Sequence, residues 1–345
     1  MSGRRLPAEW EPQAFVQLTW PHAQTDWKDL LPEVLTCYQQ MAAEILRHEP
    51  LLIVAAEDED PLAFAPGSFP YPYSVVHCPT NDTWARDHAF ISVLEGDELR
   101  LLDFQFNGWG MKFAANYDNQ INSQLWRQQA GRLFSYKDGY ENHLDFVLEG
   151  GSIESDGQGT ILTTTSCLLA PNRNEPMESQ EIEQKLKEYL GAERVLWLHH
   201  GHLAGDDTDG HIDTLARLCP DNTIAYVRCE DKNDEHYEDL SLMEAELSSF
   251  STREGNPYRL VPLPMPSPIF DEEGQRLPAT YANFLIVNGA VLYPTYRQPQ
   301  LDAQAARQLQ QAFPHHSIIG IDSLVLIQQH GSLHCSAMQY PICDR

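Results

Sequence analysis

Short polar runs in this sequence combine a thiol, an imidazole and several carboxylates, the set that covalent catalysis on an electrophilic carbon needs. Cys335 ends the run HGSLHC, just after the apolar stretch Leu324 to Ile327. That stretch predicts a strand, which would put the thiol on a loop at the strand tip, with Gly331 allowing a tight turn. The run DDTDGHID, Asp206 to Asp213, places His211 two residues before Asp213; on extended backbone such residues face the same side. A lone cysteine is equally well a small buried hydrophobe, so the case for Cys335 depends on the other polar runs.

Two of these carry further carboxylates. In NDTWARD, Asp87 follows Trp84 and Arg86, and an aromatic face beside a carboxylate suits a planar cation. The plainer alternative pairs Asp87 with Arg86 and leaves Trp84 in the core. Glu149 precedes Gly150 and Gly151 in EGGSIESDG, where glycines permit unusual dihedrals or close backbone approach. A glutamate held there either orients an imidazole, as the third member of a triad does, or stands in solvent. A metal reading competes at His202, Asp206, Asp207, Asp209, His211 and Asp213. It lacks a second histidine one helical turn away and an acidic residue to close a calcium loop, and Gly205 and Gly210 disfavour helix. A thiol, an imidazole and at least three carboxylates make a site too negative for an ester or peptide carbonyl. They suit a guanidinium, whose planar donors pair with two carboxylates at once.

Helices and short strands must position these runs. Pro32 opens a helical stripe of Leu35, Tyr38, Met41, Ala42, Ile45 and Leu46. Ser179 is placed to cap a helix carrying Ile182, Leu186 and Leu190 that ends at Gly191, and Asp302 one carrying Ala305, Leu309 and Phe313 that stops at Pro314. Strands are predicted at Leu51 to Ala55, Ala89 to Leu94, Thr160 to Thr164, Val195 to Leu198 and Thr223 to Val227. Asn288 and Gly289 mark a type I′ hairpin turn. The polar runs, with a fifth at Thr280 to Asn283, recur every fifty to seventy-five residues beside strand-like stretches. Such spacing suits either a radial array of strand-and-helix units or an open mixed α/β sheet. The proline-rich Val261 to Pro268 reads as an ordered extended connector, so one domain over residues 1–345 is expected, and Glu230 to Glu238 as a mobile surface loop.

Composition narrows the function. The net charge of −27 repels phosphate, so no nucleic-acid partner is expected, while a cationic small molecule is attracted. No apolar run is long enough to span a membrane. Arg4 and Arg5 lead into Glu9, Trp10 and Glu11 without a signal-peptide core. Seven scattered cysteines without a CxxC pair fit a reducing cytoplasm. A homo-oligomer stays open.

In order along the chain, PAEWEP, TWPH, NDTWARD, EGGSIESDG, LTTTSCLLAPNRN, GDDTDGHIDTLAR, YANFLIVNGAV and HGSLHC with its trailing MQYP resemble the agmatine deiminases and bacterial-type peptidylarginine deiminases of the guanidino-modifying superfamily. The resemblance implies a five-bladed β/α propeller (pentein) around a central site. By motif it implies Cys335 as nucleophile, His211 as acid–base, Asp87 and Asp213 as guanidinium-binding carboxylates, Glu149 as the partner orienting His211, and Trp84 as a flank for the substrate. It implies deimination of agmatine without a cofactor or metal, with peptidylarginine as the alternative substrate. More remote alternatives are amidino transfer, metal-dependent amide hydrolysis and non-catalytic polyamine binding. The sequence departs from the agmatine deiminase pattern at HGSLHC, at Glu154 where many relatives have histidine, and at Asp207 and Asp209, which replace glutamate and asparagine. Asp207 is then expected to meet the far end of the substrate.

Overall fold

The computed structural model describes residues 3–56, 61–62, 64–65, 67–128 and 139–343. Its strands fall into five separate sheets of three or four strands. One connection pattern repeats through them: an antiparallel strand pair, a helix, then a strand parallel to the second of the pair. Ile91–Glu95 and Glu98–Gln105 pair antiparallel, and Gly139–Val147 returns parallel after the helix Asp118–Gln128. Ile153–Ser155, Thr160–Thr164 and Arg194–Leu198 repeat this around the helix Ser179–Leu190. Ala216–Cys219, Thr223–Arg228 and Arg259–Pro264 do so around Tyr237–Ser249, and Leu285–Val287, Ala290–Thr295 and Ser317–Asp322 around Pro299–Ala312. The remaining unit joins distant parts of the chain. Ala337–Pro341 lies antiparallel to Gln13–Thr19, and Leu51–Ala55 then Tyr73–His77 follow in parallel after the helix Leu31–His48.

Each helix is held by an apolar face. In Leu31–His48 no side chain caps the start, but Val34, Cys37, Tyr38, Met41, Ala42, Ile45 and Leu46 are buried against Val16, Leu18, Leu51 and Ile53. Burying a large aliphatic side chain contributes about 1.5–3 kcal/mol, so packing outweighs the missing cap of about 1 kcal/mol. No described helix is long and apolar enough to cross a membrane.

Several local expectations change. The helix after residue 177 is capped by Glu178, not Ser179, through a reciprocal box with Glu181. Asp302 sits inside its helix and folds back to accept from the Gln298 and Tyr296 amides. The Asn288–Gly289 hairpin forms, but only Gly289 takes a positive φ (+78°), so the turn is not type I′. Leu324 to Ile327 is not a strand: Leu326–Gln329 is a 3₁₀ turn, and the left-handed residue after it is His330 (φ +65°), not Gly331. Gly331 is needed for another reason: a Cβ there would stand 2.3 Å from the Trp84 ring. Val261 to Pro264 completes a strand, with its prolines tolerated because that strand is an edge. In the 230–238 segment, Asp234 pairs with Arg276 and the buried His236, which anchors a loop expected to be mobile.

Candidate active site

Each unit delivers a polar side chain from the segment entering its first strand. Asp87 comes from the short helix Ala85–His88, Glu149 from just before the turn Gly150–Ser152, Asp213 from the turn Ile212–Thr214 and His211 from the residue that precedes that turn. Asn283 precedes Leu285–Val287, and Cys335 precedes Ala337–Pro341. His211 and Asp213 thus share a site through a 3₁₀ turn rather than an extended segment.

These segments converge on Gly151. A Cβ there would lie 2.6 Å from His211 Nδ1, 2.9 Å from Asp87 Oδ1 and 3.1 Å from Asp213 Oδ2, so only glycine leaves room. The Asp87 carboxylate is held at both oxygens, by the Gly151 amide (3.0 Å) and by Trp109 Nε1 (3.0 Å). His211 Nδ1 is 3.7 Å from Asp87 Oδ1. Cys335 Sγ lies 3.6 Å from Asp213 Oδ2 and accepts from Asn283 Nδ2 at 3.2 Å. Asn283 Oδ1 in turn takes the amides of His334 (3.0 Å) and Cys335 (3.3 Å), which fixes the backbone under the thiol. Glu149 Oε2, Asp213 Oδ1 and both ring nitrogens of His211 are buried without a conventional hydrogen bond among the described residues. Leaving such a group unmade costs about 1–3 kcal/mol; four in one place mark a site that a polar ligand completes.

The electrostatics favour a cation. Burial, with Asp213 and Glu149 nearby, lifts the Asp87 carboxyl to about 6, although the His211 charge opposes the rise. Burial alone would raise Asp213, but the hydrogen bond and charge of His334, with His211 and Arg217, hold it below its ordinary value. Burial works against charge on His211, yet Asp87, Cys167 and Asp213 raise it well above an ordinary histidine. Burial, Asp213 and Asp87 push the Cys335 thiol far up, so it rests protonated.

Cations do lie close by, but each is already paired. Arg173, absent from the roles read in the sequence, binds Glu149 Oε1 (2.9 Å), Asp209 Oδ2 (2.6 Å) and Thr208 O (2.8 Å). Arg217 bridges Glu9 (2.7 Å), Glu154 and His334 Nε2 (2.9 Å) over the Phe284 ring, and Arg86 binds Glu9 (3.0 Å). His334 passes this network to the site through Nδ1 and Asp213 Oδ2 (2.7 Å).

The sequence roles sort accordingly. Cys335, Asp87, Asp213, His211 and Glu149 come together. Glu149 contacts Arg173, and among the described residues it makes no hydrogen bond to His211. Trp84 is the exception: it packs in the core against Trp27 and donates to Asp82. The indole on Asp87 belongs to Trp109, carried by Gly108 to Met111, four consecutive residues with positive φ (69°, 54°, 81° and 67°). Asp207 is partly buried, which with Asp206 lifts its carboxyl to about 6 against the pull of His330 and Lys112; its carbonyl takes Lys112 Nζ at 2.7 Å. Glycines flanking a tryptophan were the available signal for Trp109. Nothing in the spacing announced Arg173, Arg217 or Glu9.

The family model for the Porphyromonas-type peptidyl-arginine deiminases matches residues 5–341. The chain belongs to this family. An agmatine deiminase of Medicago truncatula is 31% identical, covering 98% of this chain and 96% of its own. Among solved structures, a cysteine-to-serine variant of the C. jejuni agmatine deiminase with substrate bound is 39% identical, with a TM-score of 0.90 over 99% of this chain and 97% of that one. A Porphyromonas gingivalis protein provisionally named an arginine deiminase is 52% identical, with a TM-score of 0.91 over 98% of each chain. The α/β fold is therefore that of the guanidino-modifying deiminases.

Proposed function

We propose that the chain hydrolyses agmatine to N-carbamoylputrescine and ammonia through a covalent intermediate on Cys335. The observation carrying this reading is the convergence on one thiol of three buried carboxylates and an imidazole raised toward its charged form. Asp87 and Asp213 hold the guanidinium with its carbon over Cys335. Docking of a cation offsets the negative surroundings that keep the thiol protonated, so the thiol gives up its proton to solvent and the thiolate forms as substrate arrives. It adds to the guanidinium carbon; imidazolium His211 protonates one amino group, which leaves as ammonia, and an amidino-thioether remains. Neutral His211 then takes a proton from the attacking water, and collapse releases the ureido product and the thiolate. The five units are read as the blades of a five-bladed propeller, within one cytoplasmic domain.

The tail of the substrate follows from charge. An α-carboxylate brought beside Asp207 would need a cationic partner. Lys112, Arg86, Arg173 and Arg217 are all engaged with carboxylates. An ammonium meets Asp207 favourably, so agmatine is expected to exceed free arginine in kcat/KM. A second reading, deimination of arginine within peptides, draws on the exposed Met111, Phe113 and Tyr117 beside Trp109, a rim that suits an extended apolar partner. The test is kcat/KM for agmatine, arginine and a blocked arginine amide. Parity of arginine with agmatine would refute the assignment of the acidic tail site, and turnover of the amide alone would establish the peptide reading.

Gly151 gives an independent check on the geometry. Gly151→Ala places a methyl among His211, Asp87 and Asp213; a shift of about 1 Å in such groups costs roughly 10²-fold. A loss of that size in kcat/KM is expected with a preserved circular dichroism spectrum. Wild-type turnover would mean that these three groups do not act together.

A further inference from the structure

We propose that Glu149, Cys167 and His211 form an inhibitory site for a thiophilic divalent cation such as Zn²⁺. This rests on the assignment of His211 as the acid–base group. Cys167 stands on the short helix Thr165–Leu168, where Thr164 Oγ1 accepts its amide at 3.3 Å. One ligand atom from each of the three residues lies within 4.8 Å of the others, and all three side chains are buried. Glu149 Oε2 and both His211 ring nitrogens lack a conventional hydrogen bond among the described residues, and the group that meets the His211 ring is the Cys167 thiol itself. Arg173 occupies only Glu149 Oε1, and Asp87 and Asp213 add negative charge near His211. Thiolate, imidazole and carboxylate are the donor types Zn²⁺ takes, with a fourth position left for water.

A second cluster shows why this one is singled out. Glu9, Glu154 and His334 offer donor atoms at the same spacing. There each donor is already committed, to Arg86, Arg217, Gln339, Asp213 or the Leu218 amide. At Glu149, Cys167 and His211 the metal displaces the thiol proton of Cys167 and a ring proton of His211 to solvent. The imidazole is then a ligand and no longer able to protonate the departing ammonia. Catalysis itself needs no metal on this reading, so the cation acts as a brake.

The experiment uses chelator-treated full-length protein without added thiol reductant. Co²⁺ is titrated in as the optical probe, read by thiolate-to-metal absorption in the near ultraviolet, and Zn²⁺ is titrated against turnover. The expected result is one absorbing Co²⁺ per chain that Zn²⁺ displaces, with inhibition by Zn²⁺ that chelator reverses. Cys167→Ser should lose the absorption and raise the half-inhibiting Zn²⁺ concentration by at least about tenfold. Cys335→Ala should keep the absorption. Absence of the band in the wild type, or its loss in Cys335→Ala with survival in Cys167→Ser, would overturn the proposal. Should Cys167→Ser fail to fold, Glu149→Gln is expected to keep the band with weaker Co²⁺ binding, and unchanged binding would count against the site. Because the absorption is read without turnover, an error in the assigned reaction would leave it intact, whereas an active enzyme without the band refutes the metal site alone.

Discussion

Cys335→Ala is expected to cut deimination by roughly 10⁴-fold or more, the scale of losing a covalent nucleophile. Cys343→Ser should keep most activity, since Cys343 lies apart from the site with its thiol on the Asp97 carbonyl. Cys37, Cys78, Cys219 and Cys229 are buried within the packed cores. Only Cys335 has both Asn283 and Asp213 on its sulfur. Mass spectrometry of the wild type with a slow substrate should place the adduct on Cys335. The rested thiol should also alkylate slowly at neutral pH and faster as pH rises, because burial and two carboxylates keep it protonated. Undiminished turnover in the alanine variant, or an adduct on another cysteine, would remove Cys335 from the mechanism.

Asp87→Asn and Asp213→Asn are each expected to cost about 2–5 kcal/mol of transition-state stabilisation, roughly 30-fold to several thousandfold in kcat/KM. The two losses differ in origin. An asparagine at 87 has one oxygen for two donors, so either Gly151 N–H or Trp109 Nε1 loses its acceptor along with the guanidinium. At 213 the exchange also disturbs His334, whose Nδ1 depends on Oδ2. The pH profile separates Asp87 further. With its carboxyl lifted from 3.8 to about 6, wild-type kcat/KM should fall below about pH 6 as Asp87 takes up a proton, and the Asp87→Asn variant should lose that limb. For stability the sign is opposite. The folded state binds this proton more tightly than the unfolded chain, so Asp87 favours folding more as pH drops from about 6 toward 4. Losses under tenfold at both positions would place the guanidinium elsewhere.

The loops carrying the site were legible because each concentrates residue types that are costly to bury: Asp87, Glu149, His211, Asp213 and the Thr280 to Asn283 segment all stand at the entry to a strand. Their supports were not. Arg173 reaches Glu149 across 24 residues, Arg217 reaches Glu154 across 63 and Glu9 across 208, and no local pattern encodes such pairings. Short apolar runs mislead for a related reason: Leu324 to Ile327 is buried or half-buried at every position as it turns into the 3₁₀ segment, as it would be in a strand. Two tryptophans with glycine or acid neighbours look alike in sequence, and only the left-handed turn at Gly108 to Met111 decides that Trp109, not Trp84, meets Asp87.

The sheet that joins Ala337–Pro341 to Gln13–Thr19 also governs when the protein can work. Tyr340 reaches Gln17 across 323 residues, and Cys335 lies just ahead of that strand. During translation three of the other units draw their strands from single stretches and the sheet of Ile91–Glu95 adds only Arg4–Arg5, whereas Gln13–Thr19 emerges with one edge unpaired and waits. An unpaired edge is a hazard for aggregation, and long-range pairing is slow. Asp213 waits as well, because His334, the neighbour of Cys335, holds its Oδ2. On the proposed mechanism, chemistry waits for the strand Ala337–Pro341 to dock on Gln13–Thr19 and carry Cys335 to the carboxylates.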